Sequence, residues 1–352
     1  MPPENANSLY KALIIQNIIE EADDFKTFIF EEGHNISYQP GQFLTFVYAT
    51  DREEIRRSYS ITSAPVLSEP LSIGVKRISN GIFSRKLVDD SRAGEILYTT
   101  GPAGFFCLPE NMQSFNSIFF FAAGSGIAPI YSMIKTVLHQ YPFVRVFLIY
   151  SNQSIHTTVF YQPLQQLEST YKKTLRIHFL FSSIADLRRA RLNRELLLEF
   201  LTINHFDRNK TLFYTCGPAA YMRMIIYLLL EQGFPKENIK KEDFNPRHSA
   251  MPKAKPPDTG THDVVLKING AVHRIKVNYP DSILKAAQKA GISLPYSCET
   301  GKCGSCAALW LQGEVWLSYN EVLTGKEIAR GLTLTCVGHP VKGDVTLQIG
   351  TE

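Results

Sequence analysis

Three cysteines fall within nine residues of this chain, Cys298, Cys303 and Cys306 in CETGKCGSC, and a fourth, Cys336, follows in GLTLTCVGHP. No other feature restricts the fold as tightly. Four thiols at one place require a loop that wraps and a strand that returns to it. Structural zinc usually takes two short-loop pairs in a tetrahedral site. Here one loop offers three thiols and a single one comes back from far along the chain, so the loop must surround an object larger than one ion. The spacing C-x4-C-x2-C with a remote fourth cysteine is that of a [2Fe–2S] ligand set. Gly301, Gly304 and Ser305 let backbone N–H groups turn toward the sulfurs. The competing reading is four buried cysteines or a zinc knot, which the glycine placement disfavours.

At 352 residues the chain is too long for one ordinary core, and two or three domains are expected. With 44% hydrophobic and 20% charged residues it reads as globular, and a net charge of +4 without a basic run among stacking aromatics gives no reason to expect nucleic acid. The start, MPPENANSLYKALII, lacks the pattern of a secretion signal. The most apolar runs, IFFFAA (118–123) and MIIYLLL (224–230), fall short of the roughly 18 residues a membrane span needs. A cytoplasmic protein without membrane insertion is the expectation. Four of the six cysteines lie in the last 55 residues, which suits a metal or cluster better than a disulfide framework.

The chain changes character three times. Up to residue 113, KALIIQNIIE, KTFIFEE, QFLTFVY, RSYSIT, LSIGVKR and EILYTTG read as short strands with Gly and Pro between them, which predicts a small antiparallel barrel or sandwich. From 114 to 245, strands such as SIFFFAA and TLFYTC alternate with helical stretches such as IYSMIKTVLHQY and AAYMRMIIYLLLEQG, which predicts a parallel sheet covered on both faces. Residues 246–261, PRHSAMPKAKPPDTGT, read as a proline-stiffened linker. Residues 262–352 form a compact last segment that holds the four cysteines.

The terminal segment resembles plant-type ferredoxins, through SILKAAQKAGISLPYS before the cysteine loop, NEVLTGKEIARG, and LTLTC after it. That resemblance implies a β-grasp-like fold with Cys298, Cys303, Cys306 and Cys336 as cluster ligands.

In RSYS (57–60), an arginine on a strand can pair with a pyrophosphate and a tyrosine ring can stack on a flat cofactor. Alone the motif also fits an exposed arginine beside a half-buried tyrosine. VKRISNGIFS (75–84) places Gly81 and Ser84 at an apparent helix start, where free N–H groups suit a phosphate, and GPAGFF (101–106) closes the segment. The order of these three motifs resembles the FAD-binding half of the ferredoxin–NADP reductase superfamily. The resemblance implies that Arg57 and Ser84 face the FAD phosphates, that Tyr59 packs on the isoalloxazine, that Ser60 lies near its N5, and that Lys76 and Gly81 belong to the phosphate-chain segment.

AAGSGIAP (122–129) follows a buried strand and opens a helix, so Gly124 and Gly126 permit close approach of a pyrophosphate, with Pro129 in the first turn. TCGP (215–218) follows the last strand of the same segment. Together they match the nucleotide-binding half of the same superfamily, which implies Cys216 at the nicotinamide beside Gly217 and Pro218. Its other reading is a small buried core residue. KEDFN (241–245) resembles the segment that brings Glu242 and Phe244 to the flavin edge. The nucleotide stays open between NADH and NADPH. SNQSIHTT (151–158) lacks an acid for a ribose diol, which speaks against NADH; Gln153 stands where the family often has arginine, which speaks against NADPH; and Arg188, Arg189 and Arg191 either hold a 2′-phosphate or form a solvated basic face. NADPH is slightly favoured.

Taken together, residues 10–350 resemble reductase components of multicomponent oxygenases, within them the phenylacetyl-CoA epoxidase reductase type. The implied activity passes a hydride's electrons from NAD(P)H through FAD to a [2Fe–2S] cluster and on to a partner oxygenase or hydroxylase. A stand-alone ferredoxin, flavodoxin or desaturase reductase, or a carrier with an inactive flavin half, are the alternatives. Transfer to a partner implies a cysteine loop near the surface.

Overall fold

The structure is a computed structural model, and it describes residues 9–49, 54–202, 206–244 and 255–350. The first sheet is made by β1 (Lys11–Ala22), β2 (Phe25–Phe30), β3 (Phe43–Ala49), β4 (Glu54–Ser60), β5 (Ser72–Lys76) and β6 (Ile96–Ala103), in the order β4-β3-β6-β1-β2-β5. All neighbours are antiparallel, and a bridge from Ile61 to Ile73 joins the two edges, so the sheet closes into a barrel. Its interior is filled from alternate positions: Leu13 and Ile15, Phe28 and Phe30, Leu44 and Phe46, Ile73 and Val75. That period of two is what makes these six segments legible as strands. The short helix α1 (Ile82–Arg85), continued by a wider turn to Asp90, adds Phe83, Leu87 and Val88 to the same core.

The second sheet is wholly parallel, formed by β7 (Ser117–Ala123), β8 (Arg145–Asn152), β9 (Leu175–Phe181), β10 (Thr211–Cys216) and β11 (Ile239–Glu242). Helices α2 (Ile127–Gln140), α3 (Tyr161–Thr170), α4 (Leu187–Ala190), α5 (Arg194–Thr202) and α6 (Ala219–Glu231) connect the strands. Ile118 and Phe120 of β7 pack with α2 on one face, and Phe119 and Phe121 pack with α5 and α6 on the other. Burial on both faces explains the unbroken apolar run SIFFFAA. The order β11-β10-β7-β8-β9 means the chain reverses direction of growth between β7 and β10. A crevice at the carboxyl ends of those two strands is where open parallel sheets bind ligands.

The third sheet contains β12 (His262–Ile268), β13 (Ala271–Val277), β14 (Ala307–Leu317), β15 (Leu332–Leu334) and β16 (Gly338–Ile349), in the order β13-β12-β16-β14-β15. β12 and β16 are parallel and the other pairs antiparallel. Helix α7 (Ile283–Lys289) buries Ile283, Leu284, Ala286 and Ala287 against Val264, Leu266 and Leu347. Ser282 caps it by accepting from the Lys285 N–H. A shorter helix, α8 (Gly325–Ala329), opens on a capping box made by Thr324 and Glu327. Of the expected linker, the part from 246 to 254 lies outside the described residues. The rest is fastened to the third sheet, where Asp258 accepts from the Lys342 N–H at 3.0 Å. Among the described residues no helix is long and apolar enough to cross a membrane.

Candidate functional site

The cysteine loop runs from the end of α7 to the start of β14. Pairing of β14 with β15 places Ala307 opposite Leu334, and the cysteines just outside that ladder meet: the Cys306 and Cys336 sulfurs are 3.1 Å apart. The side chains of Cys298 and Cys303 form a second hydrogen-bonded pair, and the proton Cys303 donates holds the Cys298 thiol below its usual range. Backbone N–H groups turn inward. Thr300 donates to Cys298 at 3.4 Å and Ser305 to Cys303 at 3.5 Å, Lys302 to Cys298 and Gly301 to Cys336. Left-handed backbone at Gly301 (φ 75°) and Gly304 (φ 79°) makes these turns. None of the four cysteines is in a disulfide. Among the described residues no three His, Cys, Asp or Glu side chains are arranged around a single ion. Two thiol pairs inside a ring of amide donors fit a two-iron cluster, with one pair for each iron, better than a single zinc.

The loop faces the barrel. Ser297 Oγ lies 2.9 Å from Ser58 Oγ, Ser305 Oγ lies 3.3 Å from Thr45 Oγ1, and Thr45 and Ser58 are themselves 2.9 Å apart. A side chain on Gly304 would meet the Phe105 ring at 2.7 Å. Cys298 and Cys303 are therefore half-buried, and Cys306 and Cys336 are buried. A loop near the surface is expected from sequence. The difference arises because the third sheet docks with its cysteine end inward, something no local pattern encodes.

Strand β4 carries the RSYS motif along that same contact. Arg57 is exposed, and Ser60 is buried. The Tyr59 ring lies 6.2 Å from Phe46 and edge-on to Phe83 at 6.0 Å, and burial pushes its hydroxyl well above the ordinary tyrosine range. Lys76, at the end of β5, is exposed. Among the described residues neither Arg57 nor Lys76 has a carboxylate partner, which leaves two cations for phosphates. Gly81 precedes α1, and Ser84 Oγ accepts from the Ile78 N–H at 3.2 Å, closing the turn tightly enough that a β-carbon on Gly81 would be 2.4 Å from that oxygen.

At the carboxyl ends of β7 and β10 the two glycine motifs interlock. A β-carbon on Gly126 would be 2.2 Å from the Cys216 carbonyl oxygen, and one on Gly217 would be 2.9 Å from Ala123 Cβ. Gly124 is left-handed (φ 55°), and Pro129 is buried in the first turn of α2. Pro218 caps α6. Cys216 is 0% exposed, and burial raises its thiol well above the usual range, so it is a neutral group here. It stands in register with Glu242 of β11. Glu242 is half-buried as a residue, but its Oε2 is sealed from solvent and has no hydrogen-bond partner among the described residues, as is the case for Thr215 Oγ1. Orphaned polar atoms at a topological switch point suit a nucleotide. Phe244, just past β11, is exposed, and so are Arg188, Arg189 and Arg191 near the end of β9, with Arg189 bound to Glu199 at 3.1 Å. Thr215, Thr45, Ser58, Ser297 and Phe105 do not stand out in the sequence. They are small or apolar residues inside or beside the quoted motifs, and only the assembled geometry gives them a place.

Burial pushes the Glu242 carboxyl up from an ordinary 4.5 to about 8. The folded state therefore keeps a proton that the unfolded chain has released. Its contribution to stability is full below about 4.5 and is lost as pH rises through about 8. The thermal midpoint of nucleotide-free protein should fall across that window by several degrees more in the parent than in Glu242→Gln. Parallel pH profiles of the two would count against this burial.

Three family profiles match in succession: an oxidoreductase FAD-binding domain over 13–107, an oxidoreductase NAD-binding domain over 120–226 and a 2Fe-2S iron-sulfur cluster binding domain over 266–341. The chain is 30% identical over 355 residues to one component of the 1,2-phenylacetyl-CoA epoxidase of Escherichia coli K12, spanning 97% of this chain and 98% of that one. It belongs to the ferredoxin–NADP reductase superfamily. The reductase is also 29% identical over 359 residues to the ferredoxin reductase component of 3-ketosteroid-9-alpha-monooxygenase from Mycolicibacterium smegmatis, spanning 98% of each. Its fold matches that of phthalate dioxygenase reductase with a TM-score of 0.60 at 22% identity, over 97% of this chain and 98% of that one. The reductase is an NAD(P)H-dependent FAD/[2Fe–2S] oxidoreductase.

Proposed function

We propose that this reductase takes electrons from NADPH in preference to NADH and delivers them to a separate oxygenase or hydroxylase component in the cytoplasm, in the manner of a phenylacetyl-CoA epoxidase reductase. One observation carries the reading. The loop with the cluster cysteines is seated on the barrel strand that bears RSYS, with Ser297, next to Cys298, at 2.9 Å from Ser58, next to Tyr59. A bound flavin accepts a hydride's two electrons and a [2Fe–2S] cluster takes one at a time, so a flavin between nucleotide and cluster supplies the conversion.

In this reading Arg57, Lys76, Gly81 and Ser84 hold the FAD phosphates, Tyr59 packs on the ring system, and the Ser60 hydroxyl is offered to its reactive edge. Gly124, Gly126, Pro129, Gly217 and Pro218 hold the nucleotide pyrophosphate at the switch point. Cys216, neutral through burial, shapes the nicotinamide position without acting as a nucleophile. Glu242 keeps a proton at neutral pH and so can hydrogen-bond as a donor to the nucleotide, while Phe244 covers the flavin edge. Cys298, Cys303, Cys306 and Cys336 hold the cluster. The exposed arginines 188, 189 and 191 support NADPH, as does the missing acid in SNQSIHTT. Relatives named as monooxygenase and epoxidase components support the oxygenase partner.

Anaerobic stopped-flow absorbance with NADPH and, separately, NADH tests this. Flavin bleaching followed by loss of cluster absorbance is expected, faster with NADPH. Bleaching with a cluster left oxidised would overturn the path, and faster bleaching with NADH would overturn the preference. The segment from 262 onward has nine Lys/Arg and eight Asp/Glu, a net of +1. Partner docking then depends little on long-range charge, and partner reduction should vary only weakly with salt. A steep fall in rate with added salt would contradict that.

A further inference from the structure

The arginine just before the RSYS motif has a different environment from its neighbour. Side chains alternate along β4, so Arg57 points to the exposed side while Arg56, with Ser58, points toward the third sheet. Arg56 is only 9% exposed. Its Nε donates to Glu54 Oε1 at 2.7 Å and its Nη2 to the Tyr10 hydroxyl at 2.7 Å, and that hydroxyl donates to Glu54 Oε2 at 3.2 Å. The barrel thus fixes the guanidinium plane and balances its charge. What remains of the group reaches across to the ferredoxin-type domain. Its Cζ lies 3.8 Å from the centre of the Tyr296 ring, and Nη1 donates to the Leu294 carbonyl oxygen at 3.4 Å. Leu294 and Tyr296 belong to the segment that leads into Cys298. Among the described residues the other charged pairs that reach this domain, Lys241 with Glu321 and Arg330 with Glu110, are exposed or partly exposed, and such pairs contribute little. A desolvated cation on an aromatic face contributes more.

We infer that Arg56 is a positioning residue that seats the ferredoxin-type domain on the barrel in the arrangement used for flavin-to-cluster electron transfer, an inference that rests on the function proposed above. The strand hands one arginine to the flavin side and the adjacent one to the incoming domain. A lysine cannot replace it, because an ammonium lacks the planar fork that stacks on Tyr296 while bonding Glu54, Tyr10 and Leu294.

The test uses the full-length holoprotein as parent, Arg56→Ala and Arg56→Lys, read by anaerobic stopped flow and by hydrogen exchange over residues 292–298. In both variants flavin bleaching by nucleotide should stay within about twofold of the parent. Cluster reduction should slow by about tenfold, since the contact that fixes the separation of flavin and cluster is lost and the rate depends on that positioning. Exchange of the 292–298 amides should accelerate while the cluster potential stays unchanged. Cluster reduction at the parent rate, or slowed reduction with undisturbed exchange, would overturn the inference. Absence of nucleotide-driven cluster reduction in the parent itself would instead overturn the proposed function. If either Arg56 variant loses FAD, Tyr296→Leu, which leaves the barrel untouched, decides by the same two readouts.

Discussion

Cys336→Ser should abolish the cluster absorbance and lower electron delivery to a one-electron protein acceptor by about 100-fold or more, while flavin bleaching by nucleotide stays within about twofold. The scale follows from metal sites in which loss of a mere supporting contact already costs about 10- to 100-fold, and here a ligand itself is removed. Cys336 is the one proposed ligand supplied from outside the loop, and its sulfur lies 3.1 Å from that of Cys306. A serine hydroxyl does not deprotonate to a soft ligand at neutral pH, so the proposed ligand set would be left one thiolate short. The flavin half should be spared because Cys336 is buried in the core of the third sheet, with Leu284, Leu334 and Val337. Absorbance spectra, iron content and stopped-flow traces read the result. A variant with parent-like iron content would show that Cys336 is not a cluster ligand.

Gly126→Val should act on the other half. A β-carbon at Gly126 would stand 2.2 Å from the Cys216 carbonyl oxygen and 3.1 Å from the Gly217 nitrogen, both backbone atoms that cannot swing aside. Relief requires prising α2 from the end of β10, which opens the crevice where the pyrophosphate is proposed to sit. Overpacking of this sort costs about 1–3 kcal/mol. NAD(P)H-driven flavin bleaching should fall by about tenfold or more, by the same geometric reasoning about misplaced reactants, while chemical reduction of the flavin by dithionite remains intact. Gly270→Ala, in the turn between β12 and β13, is the control. Nothing lies within 4 Å of its added carbon, and only the left-handed backbone (φ 80°) is strained, a cost of about 1–2 kcal/mol. Equal effects of the two substitutions would argue against the interlocked turn as the source of the loss.

What can be read from sequence follows a physical line. The six barrel strands announce themselves as short runs rich in aromatic and β-branched residues, such as FKTFIF and FLTFVYA, set between turn residues. The bridge from Ile61 to Ile73 that closes the barrel does not, since it joins segments with no shared pattern. SIFFFAA reads as a buried strand through burial on both faces, whereas β11, with the sequence IKKE, is a polar edge strand paired only to β10. Its lack of an apolar run hides it. The cysteines are legible through spacing alone. The orientation of the loop is not, because Thr45, Ser58 and Ser297 are small hydroxyl residues whose meeting depends on how the first and third sheets come together. Arg56 stays hidden for a related reason. In the doublet before SYS, only the alternation of β4 against a docked neighbour tells the two arginines apart.

The short ladder between β14 and β15 also bears on how the holoprotein matures. Ala307 opposite Leu334 is the register that brings Cys306 to Cys336. A slip by one residue would turn every side chain of β15 to the opposite face and carry the fourth thiol away from the other three. If Cys336 is the fourth ligand, a chain whose β14–β15 ladder is out of register cannot complete the ligand set, and strand register then limits how much of a preparation can hold the cluster.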